Sequence, residues 1–264
     1  MSVQGYWADL PSHAFEGLPG GTIAILPIGA TEQHGPHLPV SVDAALIDAV
    51  TTRAMKVLDP VLNVLVLPTL TVTKSGEHDC YPGTLSLSGD TLMAVLRDTA
   101  GSVAHAGIER LVLFNGHGGN TAVLEMAARD MRIEQNLIVV SCSWFGFAMT
   151  DGLLDDSALS HDLHAGFIET SAMLAVRPDL VDMERAKNFR TVMQDWAHDF
   201  PAIGLSGQPA RPGWIMADLN IEGACGNAAA ATTEAGEQLL TTAADRFAGF
   251  LKDFARFDHR GEPQ

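Results

Sequence analysis

Short runs of consecutive apolar residues alternate with longer amphipathic stretches along the chain. The apolar runs are typical of strands covered on both faces, and they lie at residues 23–28, 62–68, 110–115 and 137–144. Stretches of helical composition follow the first three strands, at residues 43–58, 91–106 and 121–135. This alternation predicts βαβ units and an α/β fold with a mainly parallel sheet.

The second half of the chain is less regular. Residues 145–160 show no clear pattern, and residues 185–227, rich in Gly and Pro, could form a lid, cover a sheet edge or contact another subunit. A stripe of apolar residues at 235, 239, 243, 247 and 251 predicts one long amphipathic helix over about residues 232–257.

Composition narrows the class of protein. The 264 residues suit one α/β domain, predicted over 1–264, and a formal net charge of -16 argues against nucleic acid or an anionic membrane surface as a partner. The charge fits a small neutral or cationic ligand. The unpaired cysteines Cys80, Cys142 and Cys225, with no signal peptide and no apolar run long enough to span a bilayer, predict a cytoplasmic protein.

Candidate chemistry follows two of the predicted strands. The segment TEQHGPHLPVSVD after the first strand carries Glu32, His34, His37 and Asp43, and GHGGN after the third carries His117. Parallel strands end at the same edge of a sheet, so these side chains can meet. Taken alone, Asp43 fits a helix cap, and each histidine fits a hydrogen-bonded structural residue.

Mixed imidazole and carboxylate ligands suit Zn, Mn or Fe, and a shared carboxylate can bridge two ions. Glu32 and His34 would bind adjacent ions, Asp43 would bridge them, and His117 would complete one ligand set. His164, in the later segment HAGFIETS, is our candidate for the residue that protonates a leaving nitrogen. Glu169 in the same segment could instead be a solvated helix residue.

Four segments together resemble the creatininase family, in the family's order: TEQHGPHLPVSVD, the loop ending in YPGTLSL, FNGHGGN and HAGFIETS. They span about residues 20–180. The resemblance implies a three-layer α/β/α sandwich, two divalent metal ions, hydrolysis of non-peptide or unusual amide C–N bonds, and a homo-oligomer, frequently a hexamer. It carries metal ligation to Glu32, His34, Asp43 and His117, and proton transfer to His164; His37 becomes a structural residue.

Two departures from the creatinine-hydrolysing pattern bear on the substrate. Gly119 stands where those members have a ligating Glu, and Ser160 stands where they have an aromatic gate. GHGGN is more similar to the branch with formamidopyrimidine deformylases and the peptidase of mycofactocin maturation. We therefore predict that Glu169 supplies the missing carboxylate or orients the attacking water. Substrate contacts are predicted from the loop after the second strand, at Lys74, Ser75, His78 and Tyr81.

The sequence thus predicts a metal-dependent amidohydrolase acting on a small amide, formamide or cyclic amide. The alternatives are a peptidase in cofactor maturation, a creatinine amidohydrolase and a hydrolase that opens the ring of a carbohydrate-like substrate. A metal-dependent binding or assembly protein without turnover is the alternative from a different class.

Overall fold

A parallel sheet forms the centre of the protein. The computed structural model describes residues 2–205 and 207–260. The sheet has five strands: β1 (Gln4–Tyr6), β2 (Ile23–Ile28), β3 (Val64–Val66), β4 (Arg110–Asn115) and β5 (Ile138–Ser143). Their order is β1-β3-β2-β4-β5, and each pair is parallel. The chain therefore moves to one side of β2 with β3 and to the other with β4. This leaves a crevice at the paired carboxyl ends of β2 and β4, where the segments that follow the two strands run to opposite faces of the sheet.

Helices cover both faces of this sheet. The helices are α1 (Val42–Val57), α2 (Gly89–His105), α3 (Thr121–Gln135), α4 (Asp156–His161), α5 (Phe167–Val176), α6 (Met193–Asp199), α7 (Met216–Leu219) and α8 (Thr233–Arg256). Alternate residues of β2 point to opposite faces, so Ile23 and Ile25 pack with α1, α5 and α8, whereas Ala24 and Leu26 pack with α2 and α3. The three-layer α/β/α prediction is confirmed.

The predicted elements are present with small differences at their ends. Ser88 caps α2 by accepting a hydrogen bond from the Thr91 backbone N–H, and α8 is the long helix expected from the apolar stripe. Its Phe247 stacks on Phe114 of β4, with ring centroids 3.8 Å apart. None of the helices in the described chain is both long and apolar enough to cross a membrane.

The irregular segment at residues 185–227 forms α6, α7 and a two-stranded antiparallel pair, β6 (Asn188–Phe189) and β7 (Gly226–Asn227). Its Trp214 lines the cavity above the carboxyl ends of the strands. Of the three possibilities left open by the sequence, the segment covers this cavity; a subunit contact stays untested.

Candidate metal centre

The first turn of α1 lies unusually close to the end of β2. A Cβ added to Gly29 would lie 2.6 Å from Cα and 2.7 Å from N of Ala44. Only a residue without a side chain permits this approach. It brings Asp43, the second residue of α1, into the crevice, where Asp43 is buried and faces two histidines instead of capping the helix.

We predict that Gly29→Ala weakens both the fold and the metal site. The new methyl group would have to displace backbone atoms of α1, at a cost of about 1–3 kcal/mol, and Asp43 would move with the helix. Denaturant unfolding and metal titration measure the two effects. Gly146→Ala is the matched control, because a Cβ there meets nothing within 4 Å. Equal metal affinity in Gly29→Ala and wild type would contradict this account.

Buried polar atoms converge at the crevice. Among the described residues, both carboxylate oxygens of Glu32, Nε2 of His34 and Oδ2 of Asp43 have no hydrogen-bond partner of acceptable geometry. His34 Nε2 lies 3.3 Å from Asp43 Oδ1, and His117 Nδ1 lies 3.2 Å from both Glu32 Oε1 and Asp43 Oδ2. Ligands bound about 2 Å from one ion are about 3 Å apart. These atoms therefore fit a metal centre.

The donor atoms form three overlapping groups that could each hold an ion: Glu32, Asp43 and His117; His34, Asp43 and Glu169; and Glu32, His34 and His164. Asp43 is common to the first two groups. It could thus bridge two ions, one held with His117 and the other with His34.

Backbone carbonyls fix the orientation of two imidazoles. His34 Nδ1 lies 3.0 Å from the carbonyl oxygen of Glu32, and His117 Nε2 lies 3.0 Å from that of Lys74. An imidazole nitrogen facing a carbonyl carries the proton, so the other nitrogen keeps its lone pair. His34 Nε2 and His117 Nδ1 are the nitrogens left to bind metal.

A left-handed residue joins the two functional side chains of HAGFIETS. Ala165 has a φ of 51°, which is uncommon for a residue with a side chain, and its backbone N–H donates to Glu169 Oε2 at 2.5 Å. The preceding His164 donates from Nε2 to the carbonyl of Gln33 at 2.8 Å, which leaves Nδ1 3.7 Å from Glu32 Oε1. The turn therefore aims His164 and Glu169 at the same crevice.

The charges of the cluster favour a cation. Burial alone would lower the pKa of His34, but Asp43, Glu169 and Glu32 outweigh it and raise that pKa to about 10. Burial raises the pKa of Glu169 to about 7. Without metal, protons therefore balance the buried carboxylates, and ion binding must displace them.

The four residues predicted to contact substrate lie in different places in the structure. His78 lines the cavity and lies 3.6 Å from Glu32 Oε1, while Ser75 is buried with its hydroxyl 3.5 Å from His117 Nε2. Lys74 lines an adjoining cavity. Tyr81 lines neither cavity. Its hydroxyl lies 3.2 Å from the carbonyl oxygens of Asn220 and Ile221, and its partly buried ring packs against the apolar cluster that contains Met216 and Leu219 of α7. A substrate contact by Tyr81 stays a prediction.

His37 lies outside the ligand cluster. Its Nε2 is 2.9 Å from the hydroxyl of Thr170, and its ring stacks on Phe189. This geometry agrees with the structural role expected for His37.

Glu77 is a site residue that the sequence interpretation missed. A Cβ added to Gly119 would lie 1.8 Å from Glu77 Oε1, so this carboxylate occupies the space of a side chain at 119. Glu77 pairs with Lys74 and lies 3.5 Å from His117 Nε2. Burial would raise its pKa, but His117 and Lys74 hold it at about 2. The sequence feature that could have indicated Glu77 is the glycine at 119, because a position without a side chain leaves space for a neighbouring carboxylate.

The aromatic surface of the cavity comes from unexpected residues. The cavity measures about 360 Å³, and Ser160 lines it with no aromatic ring at that position. Phe145 and Trp214 supply aromatic side chains from elsewhere in the chain.

A three-layer α/β/α fold with buried imidazoles and carboxylates at the carboxyl ends of its strands has the ligand set of a metal-dependent hydrolase. Residues 8–251 match the family described as "Creatininase: Creatinine amidohydrolase". The chain belongs to the creatininase family of metal-dependent amidohydrolases.

Two proteins with similar sequences have different activities. The chain is 37% identical over 182 residues to the creatinine amidohydrolase of Pseudomonas putida, covering 63% of this chain and 68% of that protein. It is 33% identical over 166 residues to the mycofactocin precursor peptide peptidase of Mycobacterium ulcerans, covering 61% of each chain, which is less than two thirds of the peptidase.

Solved structures agree with the fold and the metal. A manganese creatininase is 30% identical and superimposes with a TM-score of 0.73, covering 96% of this chain and 98% of that one. A creatininase variant in a zinc–zinc form is 29% identical, with a TM-score of 0.72 and the same coverage. The prediction of two divalent ions is supported by these two forms and by the clustered donor atoms.

Proposed function

We propose that this protein hydrolyses a C–N bond in a small amide, formamide or cyclic amide. The observation that carries the proposal is the convergence of unpartnered, buried ligand atoms on Asp43, with His164 Nδ1 facing the same crevice. Glu32, Asp43 and His117 would hold one ion, and His34, Asp43 and Glu169 the other. When bound, the two ions supply Lewis-acid polarisation of a carbonyl and activation of water.

The chain's own residues account for the proton transfers. Burial, with His34 and His78 nearby, holds the pKa of His164 well below its usual value, so the ring is neutral and its Nδ1 can accept a proton from the attacking water. The same atom can then donate that proton to the leaving nitrogen as the C–N bond breaks. Glu169, held by the Ala165 N–H, would bind metal or orient the water.

Creatinine is not the substrate that we propose. Glu77 fills the space beside Gly119, and Ser160 gives the cavity wall no aromatic ring at that position. Peptide-tail cleavage is the second candidate, supported by similarity to the mycofactocin peptidase and by the second cavity beside the first.

Metal removal tests the proposal. We expect wild-type protein to hydrolyse compounds from a panel of formamides, linear amides and lactams, detected as formate and amine, as carboxylic acid and amine, and as the ring-opened amino acid, respectively. Chelator treatment followed by desalting should abolish this hydrolysis. Added Mn²⁺ or Zn²⁺ should restore it, because the ligand atoms remain in place. Short peptides and creatinine in the same panel distinguish the alternatives. A metal-loaded protein inactive on every compound would contradict the proposal.

Three expectations about the protein's setting remain part of this proposal. They are a single domain over residues 1–264, a homo-oligomeric state such as a hexamer, and a location in the cytoplasm.

A further inference from the structure

A second cavity adjoins the one that contains the ligand cluster. It measures about 440 Å³ and is lined by Lys74 and Arg211, among others. The two cavities share five wall residues: Glu77, Gly118, Gly119, Leu163 and Trp214. A Cβ at Gly118 would meet nothing within 4 Å, so the wall is open at this point. A molecule with its amide at the ligand cluster can therefore extend past Gly118 into the second cavity.

Arg211 is the distinctive charge of the second cavity. Seven arginines in the described chain form ion pairs with carboxylates: Arg53, Arg97, Arg177, Arg185, Arg190, Arg256 and Arg260. Within the described residues, Arg211 has no such pair, and its Nη2 donates to the carbonyl of Leu205 at 2.6 Å. Arg110, Arg129, Arg132 and Arg246 also lack such a pair in the described chain, but of these five arginines Arg211 is the one that lines the cavity beside the ligand cluster.

The other charges of this cavity cancel. Lys74 Nζ is paired with Glu77 Oε2, so neither group carries an uncompensated charge into the cavity. Arg211 is left as the net positive charge, with guanidinium N–H groups free to donate. A guanidinium matches the planar oxygen pairs of a carboxylate and the oxygens of a phosphate.

We infer that the substrate carries an anionic group, a carboxylate or a phosphate, at the end opposite the scissile amide, and that Arg211 binds this group. The inference rests on the proposed function, because it assumes that the amide lies at the ligand cluster. It narrows the substrate class from small amides in general to amides of anionic compounds. It also replaces the neutral or cationic ligand expected from the net charge, because Arg211 lines the cavity that would hold this group, whatever the net charge of the whole chain.

Binding can be measured without turnover. The probes are linear dicarboxylates (glutarate, adipate and pimelate) and monocarboxylates of the same carbon number, titrated calorimetrically into zinc-loaded protein. Both members of each pair carry one carboxylate, so the difference between their affinities measures the contribution of the second, distal carboxylate. We expect the best-fitting dicarboxylate to bind at least about tenfold more tightly than its partner. Arg211→Gln should remove this advantage and leave monocarboxylate binding unchanged.

Arg246→Gln is the matched control. Like Arg211, Arg246 is exposed and donates to a backbone carbonyl, that of Phe147, but it lies on α8 and lines neither cavity. This variant should keep the dicarboxylate preference. Lys74→Gln is less informative because it would remove the lysine partner of Glu77 and so change the charge of the shared wall. An equal preference in wild type and Arg211→Gln, or no preference in wild type, would overturn the inference.

Rates of hydrolysis give a second test and distinguish a carboxylate from a phosphate as the anionic group. Formate release is measured from N-formyl-5-aminopentanoate, its phosphate-bearing counterpart and neutral N-formylpentylamine. We expect kcat/KM at least about tenfold higher for one anionic compound than for the neutral one, with this ratio lost in Arg211→Gln. Equal rates on anionic and neutral compounds would overturn the inference alone. Failure to bind zinc would instead contradict the proposed function.

Discussion

Asp43→Ala is expected to remove both metal ions and to abolish hydrolysis. Asp43 shares one ligand group with Glu32 and His117 and another with His34 and Glu169. Loss of a residue that only supports a ligand already lowers metal affinity 10–100-fold, so loss of a shared ligand should lower it more than about 100-fold. Metal analysis after gel filtration should find about two ions per chain in wild type and none in the variant.

Asp48→Ala is the matched control for this experiment. Asp48 is on the same helix but is exposed and accepts a hydrogen bond from the Thr69 hydroxyl. It should keep both ions. Metal at 100 times its Kd stabilises a folded protein by about 2.7 kcal/mol, so added Mn²⁺ should raise the thermal midpoint of wild type and Asp48→Ala but not of Asp43→Ala. Wild-type metal content in folded Asp43→Ala would contradict the bridging assignment.

The layers of the fold were predictable because the central strands are buried on both faces. Continuous apolar runs such as β4 and the stripe of α8 show this burial directly. The order of the strands was not predictable, since it depends on pairing between distant segments. The edge strand β1 has the sequence QGY, with no apolar run, and exists because it pairs with β3.

Some residues of the candidate site were also predictable from the sequence, and others were not. Glu32, His34 and His117 were predictable as neighbours because each closely follows a strand that ends at the same sheet edge. Asp43 alone was ambiguous, since its approach depends on the missing side chain at Gly29. Glu77 and Arg211 come from long loops with no periodic pattern, so their positions follow from tertiary packing.

His164→Ala is expected to keep both metal ions and to lower kcat by about 10²–10⁴-fold, the usual contribution of general acid–base catalysis. The Gln33 carbonyl fixes the proton on Nε2, so Nδ1 is the atom that faces the crevice and that would transfer the proton in the proposed reaction. Metal analysis, kcat measurement and partial rescue by added imidazole test this role. Rescue is informative because a free imidazole can replace a proton carrier in the space that the truncated side chain leaves.

The competing role for His164 is metal ligation, since its ring also groups with Glu32 and His34. In that role His164→Ala would lose one ion, and added metal instead of imidazole would restore turnover. His161→Ala is the matched control: this histidine, on α4, has its Nδ1 2.7 Å from the Ser157 carbonyl and does not line the cavity. It should keep both the metal and the rate. A single ion remaining in His164→Ala, with no imidazole rescue, would reassign His164 from proton transfer to the metal centre.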